Sequence, residues 1–156
     1  MNIKYIALLV VPFIIGCEGD DENSVTHNQG KECIACHSNF TSAGTIFSKL
    51  NASDNDSSNV NDSYKIRLTS NTGTKITFDS GRGRGNKKTT SSLINFDTFT
   101  AEVIDSSGKV VNSSMKNSHN SARFRCNTCH SATGSSGAPG RVVGYDYYNN
   151  LKAKIK

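Results

Sequence analysis

Tyr64-Lys65-Ile66-Arg67-Leu68-Thr69 alternates apolar and polar side chains with a period of two, and Asn71-Thr72-Gly73 separates it from Lys75-Ile76-Thr77-Phe78. A strand sends successive side chains to opposite faces, so the alternation reads as a half-buried strand. The Asn-Thr-Gly step supplies the turn residues that fold two such runs into a hairpin. Similar short runs lie on both sides. Gly44-Thr45-Ile46-Phe47 opens a strand, and the polar stretch Asn51 to Asn61 follows it as a loop. Ser92 to Phe96 reads as another strand. Phe99, Ala101 and Val103 then alternate with Thr100, Glu102 and Ile104. Asp105-Ser106-Ser107-Gly108 turns the chain, and Lys109-Val110-Val111 returns it. Short strands at this spacing predict a mainly β fold, a small β-sandwich.

Outside the β region the two ends carry one signature. Cys33-Ile34-Ala35-Cys36-His37 and Cys126-Asn127-Thr128-Cys129-His130 both have the form Cys-x-x-Cys-His, the attachment motif of c-type haem. Two thiols three residues apart share one face of a helical turn and can reach the two vinyl groups of one porphyrin. The His after the second Cys then aims its imidazole at the iron. The chain is therefore expected to hold two haem c groups. Cys33, Cys36, Cys126 and Cys129 would form the thioethers, and His37 and His130 would be the proximal ligands. The chain has four His, so His27 and His119 are the only others, one ahead of each motif. They are expected to fill the distal positions. The spacing leaves open which serves which iron, with each serving its own segment preferred. Met115 is the rival for one site; Met/His ligation would raise that haem's potential.

Other chemistries fit less well. A zinc site of four thiolates uses the same Cys pairs but gives no reason for a His after each. A thioredoxin-like pair occurs once, within a βαβ pattern that is absent here. Structural disulfides leave the duplicated His unexplained.

The N-terminus reads as an address. Lys4 is followed by an apolar run, Ile6 to Ile15, broken only by Pro12. The run is too short to span a bilayer but suits the core of a signal peptide. It ends at Ile14-Ile15-Gly16-Cys17, which resembles a lipobox, so cleavage before Cys17 and acylation of that Cys are expected. Lipidation explains the fifth Cys and leaves none for a disulfide. Several acyl chains on one residue anchor stably where a single chain would not. Glu18 after Cys17, rather than Asp, favours the outer membrane. The acidic run Glu18-Gly19-Asp20-Asp21-Glu22 also resembles surface-export signals and otherwise reads as a solvated tether.

Charge says little about partners. The formal +5 falls to +4 when Lys4 leaves with the leader, and haem propionates would bring the holoprotein near neutrality. No nucleic-acid partner is expected. Ser80-Gly81-Arg82-Gly83-Arg84-Gly85-Asn86-Lys87-Lys88 breaks the strand pattern with a Gly-rich basic run. Its third Gly is misplaced for a dinucleotide fingerprint. It reads as a solvated hairpin loop; the sharper alternative pairs Arg82, Arg84, Lys87 or Lys88 with propionates or an acidic partner. Arg141-Val142-Val143 is read as a short strand or a haem contact, and Tyr145, Tyr147 and Tyr148 as packing residues.

His27, the two haem motifs, Gly44 to Phe47, Gly81 to Asn86 and Gly137 to Arg141 together resemble a group of small dihaem lipoprotein cytochromes. The middle resembles the transthyretin-like sandwich of regulatory carboxypeptidase domains. More broadly, the chain is similar to multihaem cytochromes of extracellular electron transfer. The resemblance implies an electron-transfer role, with partner cytochromes or extracellular acceptors. The division expected is a signal peptide over 1–16, a tether over 17–26 and one dihaem domain over 27–156. Within that domain come haem segment 27–42, β-domain 43–112, haem segment 113–140 and tail 141–156. One motif near each end of a small domain would also suit stacking of copies into a homopolymer. An enzyme is not expected. The alternative, a haem peroxidase or small-oxide reductase, needs one displaceable distal ligand. A haem sensor or a polymer-binding adhesin is a further alternative.

Overall fold

The computed structural model describes residues 27–92, 96–115 and 118–145. The expected signal peptide, Cys17, the tether, most of the strand read at 92–96, and the tail with Tyr147 and Tyr148 lie outside the described residues.

The chain is mainly β, a small sandwich of two sheets. Its strands are β1 (Ser42–Phe47), β2 (Lys65–Ser70), β3 (Lys75–Thr77), β4 (Asp79–Ser80), β5 (Asn86–Thr89), β6 (Thr98–Ile104), β7 (Val110–Ser113), β8 (His119–Asn120) and β9 (Val142–Val143). One short helix, α1 (Cys126–Cys129), carries the second Cys pair. The first sheet runs β4-β5-β1-β9 and the second β3-β2-β6-β7, with β8 also paired to β6. Neighbours are antiparallel, except that β9 runs parallel to β1. Among the described residues no helix is long and apolar enough to cross a membrane.

The period-two reading holds where it was clearest. In β2, Ile66 and Leu68 are buried while Lys65 is exposed and Arg67 and Thr69 half-exposed. The turn at Asn71-Thr72-Gly73 joins β2 to β3, with Gly73 at φ +89. β6 pairs with the whole of β2, from Lys65 opposite Ile104 to Ser70 opposite Phe99. The core forms where the second sheet meets Ile46 of the first: Ile46, Ile66, Leu68, Phe78, Phe96, Phe99 and Val103. Burying each such side chain contributes roughly 1.5–3 kcal/mol.

β1 is buried along its entire length. Its Ile46 faces the second sheet, and Phe47 packs on Ala52 and Val60 behind it. Gly44 lies where an added Cβ would come within 2.7 Å of Cys126 Cβ, so its bare backbone is what lets α1 lie close. Arg125 bridges Ala43 just before α1, tying the second motif to this strand.

Two expectations are corrected. Ser80 to Lys88 is not one solvated loop. Only 81–85 form the turn; Asn86, Lys87 and Thr89 are buried in β5. Lys87 is 1% exposed and its Nζ lies 3.7 Å from an Asp62 carboxylate oxygen, so it faces inward rather than toward a propionate or a partner. Pairing with β1 draws this strand into the sheet, an effect of distant sequence. The second correction concerns the haem motifs. They sit near the two ends of the chain but not at opposite ends of the domain, because Asn127 Nδ2 donates to Lys31 O at 2.7 Å.

Candidate haem centres

The first motif is a single tight turn. The His37 N–H donates to Cys33 O at 3.0 Å, and the Cys36 N–H to the same oxygen at 3.2 Å. Glu32 Oε1 accepts the Ile34 N–H at 2.9 Å and steadies the entry to the turn. Phe40 stacks on His37 with ring centroids 4.7 Å apart. The His27 ring lies 5.8 Å from the His37 ring, tilted by 45°.

The second motif is α1, closed by the His130 N–H donating to Cys126 O at 2.9 Å. His130 Nδ1 lies 2.8 Å from Gly140 O. A carbonyl can only accept, so Nδ1 carries the proton and Nε2 keeps its lone pair for a metal. The Gly-Ala-Pro-Gly loop thus orients His130. His119 stands on β8, stacked on Phe99 at 5.4 Å, with Ser118 Oγ 3.0 Å from its Nδ1. The His119 and His130 rings are 6.3 Å apart and nearly parallel at 15°. A cavity of about 270 Å³ opens beside them, lined by Leu68, Ala101, Val103, His119, Cys126 and His130 among others. Met115 also lines it and is 72% exposed, while the His119 ring is the one paired with His130.

The surroundings of His119, His130 and His37 disfavour their charged forms. Burial, then His130 and Arg123, push the His119 pKa down to about 4. Burial lowers His130 against the raising effect of the Gly140 hydrogen bond. Burial, His27 and Arg82 lower His37. A neutral imidazole is the form that binds iron. The thiols move the other way: burial and Glu32 push Cys33 up to about 11, and burial pushes Cys126 up to about 12. Neither is the poised thiolate of a redox or nucleophilic Cys.

The donor set fits haem. Among the described residues no three or more His, Cys, Asp or Glu converge as a metal site. The imidazoles come in twos. Two metal–nitrogen bonds of about 2 Å and two ring radii of about 1 Å sum to roughly 6 Å. Both His pairs stand near that separation. One feature of the first motif competes. Cys36 is disulfide-bonded, against the expectation that no Cys would be, while Cys33, Cys126 and Cys129 are free. Cys36 is exposed on the turn. A disulfide and a thioether at Cys36 exclude one another.

Three residues that tie the two motif segments together are not legible in the motifs. Asn127, an unspecified position of the second motif, is buried; its Oδ1 accepts the Thr45 N–H and its Nδ2 reaches Lys31 O and Thr45 Oγ1. Thr128 donates its hydroxyl to Glu32 at 2.6 Å. Arg141, 2% exposed, donates to Ala52 O, Gly30 O and His130 O, pairs with Asp54 and lies over the Phe47 ring. The Gly137 to Arg141 piece of the resemblance contained the one signal that could have found Arg141. Arg84, by contrast, pairs at the surface with Asp62 at 3.5 Å, and Lys88 lies 5.2 Å over Phe40.

Comparison of the chain with protein-family models, with curated proteins and with solved structures finds no match among any of them.

Proposed function

We propose that the chain is a dihaem c-type cytochrome that transfers electrons without itself catalysing a reaction. The observation that carries this is the pairing of imidazoles. Each Cys-x-x-Cys-His turn has a second His ring about 6 Å from its own, His27 with His37 and His119 with His130. On this reading each distal His serves the haem of its own segment. Bound haem supplies a one-electron ferric/ferrous couple, with a low potential under two imidazoles. His37 and His27 would hold the first iron and His130 and His119 the second, leaving no place for a substrate to coordinate. Cys33, Cys36, Cys126 and Cys129 fix the porphyrins, with Cys36 taken from the reduced chain. Hydrogen bonds link the two segments that would hold the haems, Asn127 to Lys31 and Thr128 to Glu32.

The proposal includes export and anchoring by lipidated Cys17 at the outer membrane, on its periplasmic or outer face. Partners are then other multihaem cytochromes, extracellular acceptors, or further copies of the chain.

The test is spectroscopic. The chain matured with haem should carry two low-spin, six-coordinate haems by electron paramagnetic resonance. His27→Ala and His119→Ala should each turn one haem high-spin. A high-spin signal in the unaltered protein, with rapid peroxide or carbon monoxide binding, would replace this reading with a haem enzyme. Intact mass showing one haem, with Cys36 still in a disulfide, would reduce the reading to one centre.

A further inference from the structure

We propose that the turn between β4 and β5 seats His27, with Gln29, Gly83 and Asn86 as positioning residues for the first iron's sixth ligand. The inference rests on the dihaem reading above. His27 belongs to no strand or helix, and the next residue, Asn28, takes φ +51, so local structure does not hold its ring opposite His37. Tertiary contacts do. The His27 N–H donates to Gln29 Oε1 at 3.2 Å, and His27 O accepts from Asn86 Nδ2 at 2.6 Å. Both backbone polar groups of the residue are thus held by side chains, and both of those side chains are buried. Asn86 spends its second amide hydrogen on Arg82 O at 2.8 Å, which clamps the turn to the same point. Its Oδ1 accepts from Thr45 Oγ1 at 2.7 Å, which anchors it to the central strand.

Gly83 completes the seat. Its φ is +71, and a Cβ there would stand 2.8 Å from His27 Cβ and 2.9 Å from His27 N. Any side chain at this position drives His27 away and strains the turn. The glycine-rich basic run is therefore required by the ligand it packs against. Gln29, Gly83 and Asn86 touch no iron; they fix where an imidazole stands, and a loosely held sixth ligand is a displaceable one.

Asn86→Asp keeps the Oδ1 that faces Thr45 and replaces the two N–H donors by an oxygen facing two carbonyls. Gly83→Ala adds only the Cβ. In the haem-loaded protein each change should turn the first haem high-spin and let it bind carbon monoxide, about one molecule per chain. The second haem should stay low-spin, which reports that the fold persists. Added imidazole should restore the low-spin signal. Two low-spin haems in both variants would overturn the proposal, and so would equal loss at both haems, which marks a general structural defect. Absence of haem from the first motif of the unaltered protein would instead overturn the reading on which it rests.

Discussion

Arg141 is the residue on which the two Cys-x-x-Cys-His segments converge. Its guanidinium donates to Gly30 O in the first segment and to His130 O in the second, each at 3.2 Å. Its charge is met by Asp54, which Lys31 also pairs at 2.9 Å. A buried cation is stable only when its hydrogen bonds are complete, and here the carbonyls complete them. Arg141→Met should strand those carbonyls and cost about 2–4 kcal/mol in a denaturant titration. A loss below about 0.5 kcal/mol, the range of an ordinary surface change, would show that the clamp is dispensable. Gly140 acts at the same scale. With φ +143 and a would-be Cβ 2.6 Å from Leu50 O, it cannot carry a side chain without moving the carbonyl that orients His130.

At the scale of elements, β6 does two jobs. Its inner face gives Phe99 to the core, and the same ring stacks on His119 and on Phe124. Phe99→Ala should cost about 3–5 kcal/mol and loosen His119, seen as a high-spin second haem. The outer face of β6 pairs Glu102 with Arg67 of β2 at 2.7 Å and accepts the Thr69 hydroxyl at 2.8 Å. Burial opposes ionisation of Glu102, but the Arg67 and Thr69 hydrogen bonds outweigh it and hold its pKa below the ordinary value. A depressed folded pKa means that this contribution is present above the ordinary glutamate range, near pH 4, and is lost as pH falls through the folded value. Glu102→Gln should therefore flatten the acid limb of the stability–pH curve. An unchanged limb would show that the pair contributes nothing to it.

For the whole molecule, the decisive fact is that segments 96 positions apart in sequence touch. Asn127 links the second motif to Lys31 and to Thr45 of β1, and Thr128 links it to Glu32. Asn127→Ala should leave the Thr45 N–H without its acceptor, at about 1–3 kcal/mol. Because the link is shared, both haems should shift in midpoint potential. A shift confined to the second haem would show the centres to be independent. With the two motif segments hydrogen-bonded to each other, a chain of copies would need a contact other than opposite ends.

Local pattern carried much of this protein. Alternation at Tyr64 to Phe78 and at Phe99 to Ile104 specified strands, because a strand's period is a property of neighbouring residues. Cys-x-x-Cys-His specified two turns that present a His, because thiol spacing is local too. Burial of Lys87 and Asn86 was not legible, since it comes from pairing with β1 and not from their own polar sequence. Nor was the nearness of the motifs. That depends on one Asn, one Arg and a bare Gly44 that lets α1 approach, all contacts between residues far apart in the chain. Sequence alone therefore determined the β-rich fold and the residue types at each proposed centre. Tertiary structure decided which His faces which and that the two centres adjoin, because only chain closure brings such distant groups within hydrogen-bonding distance.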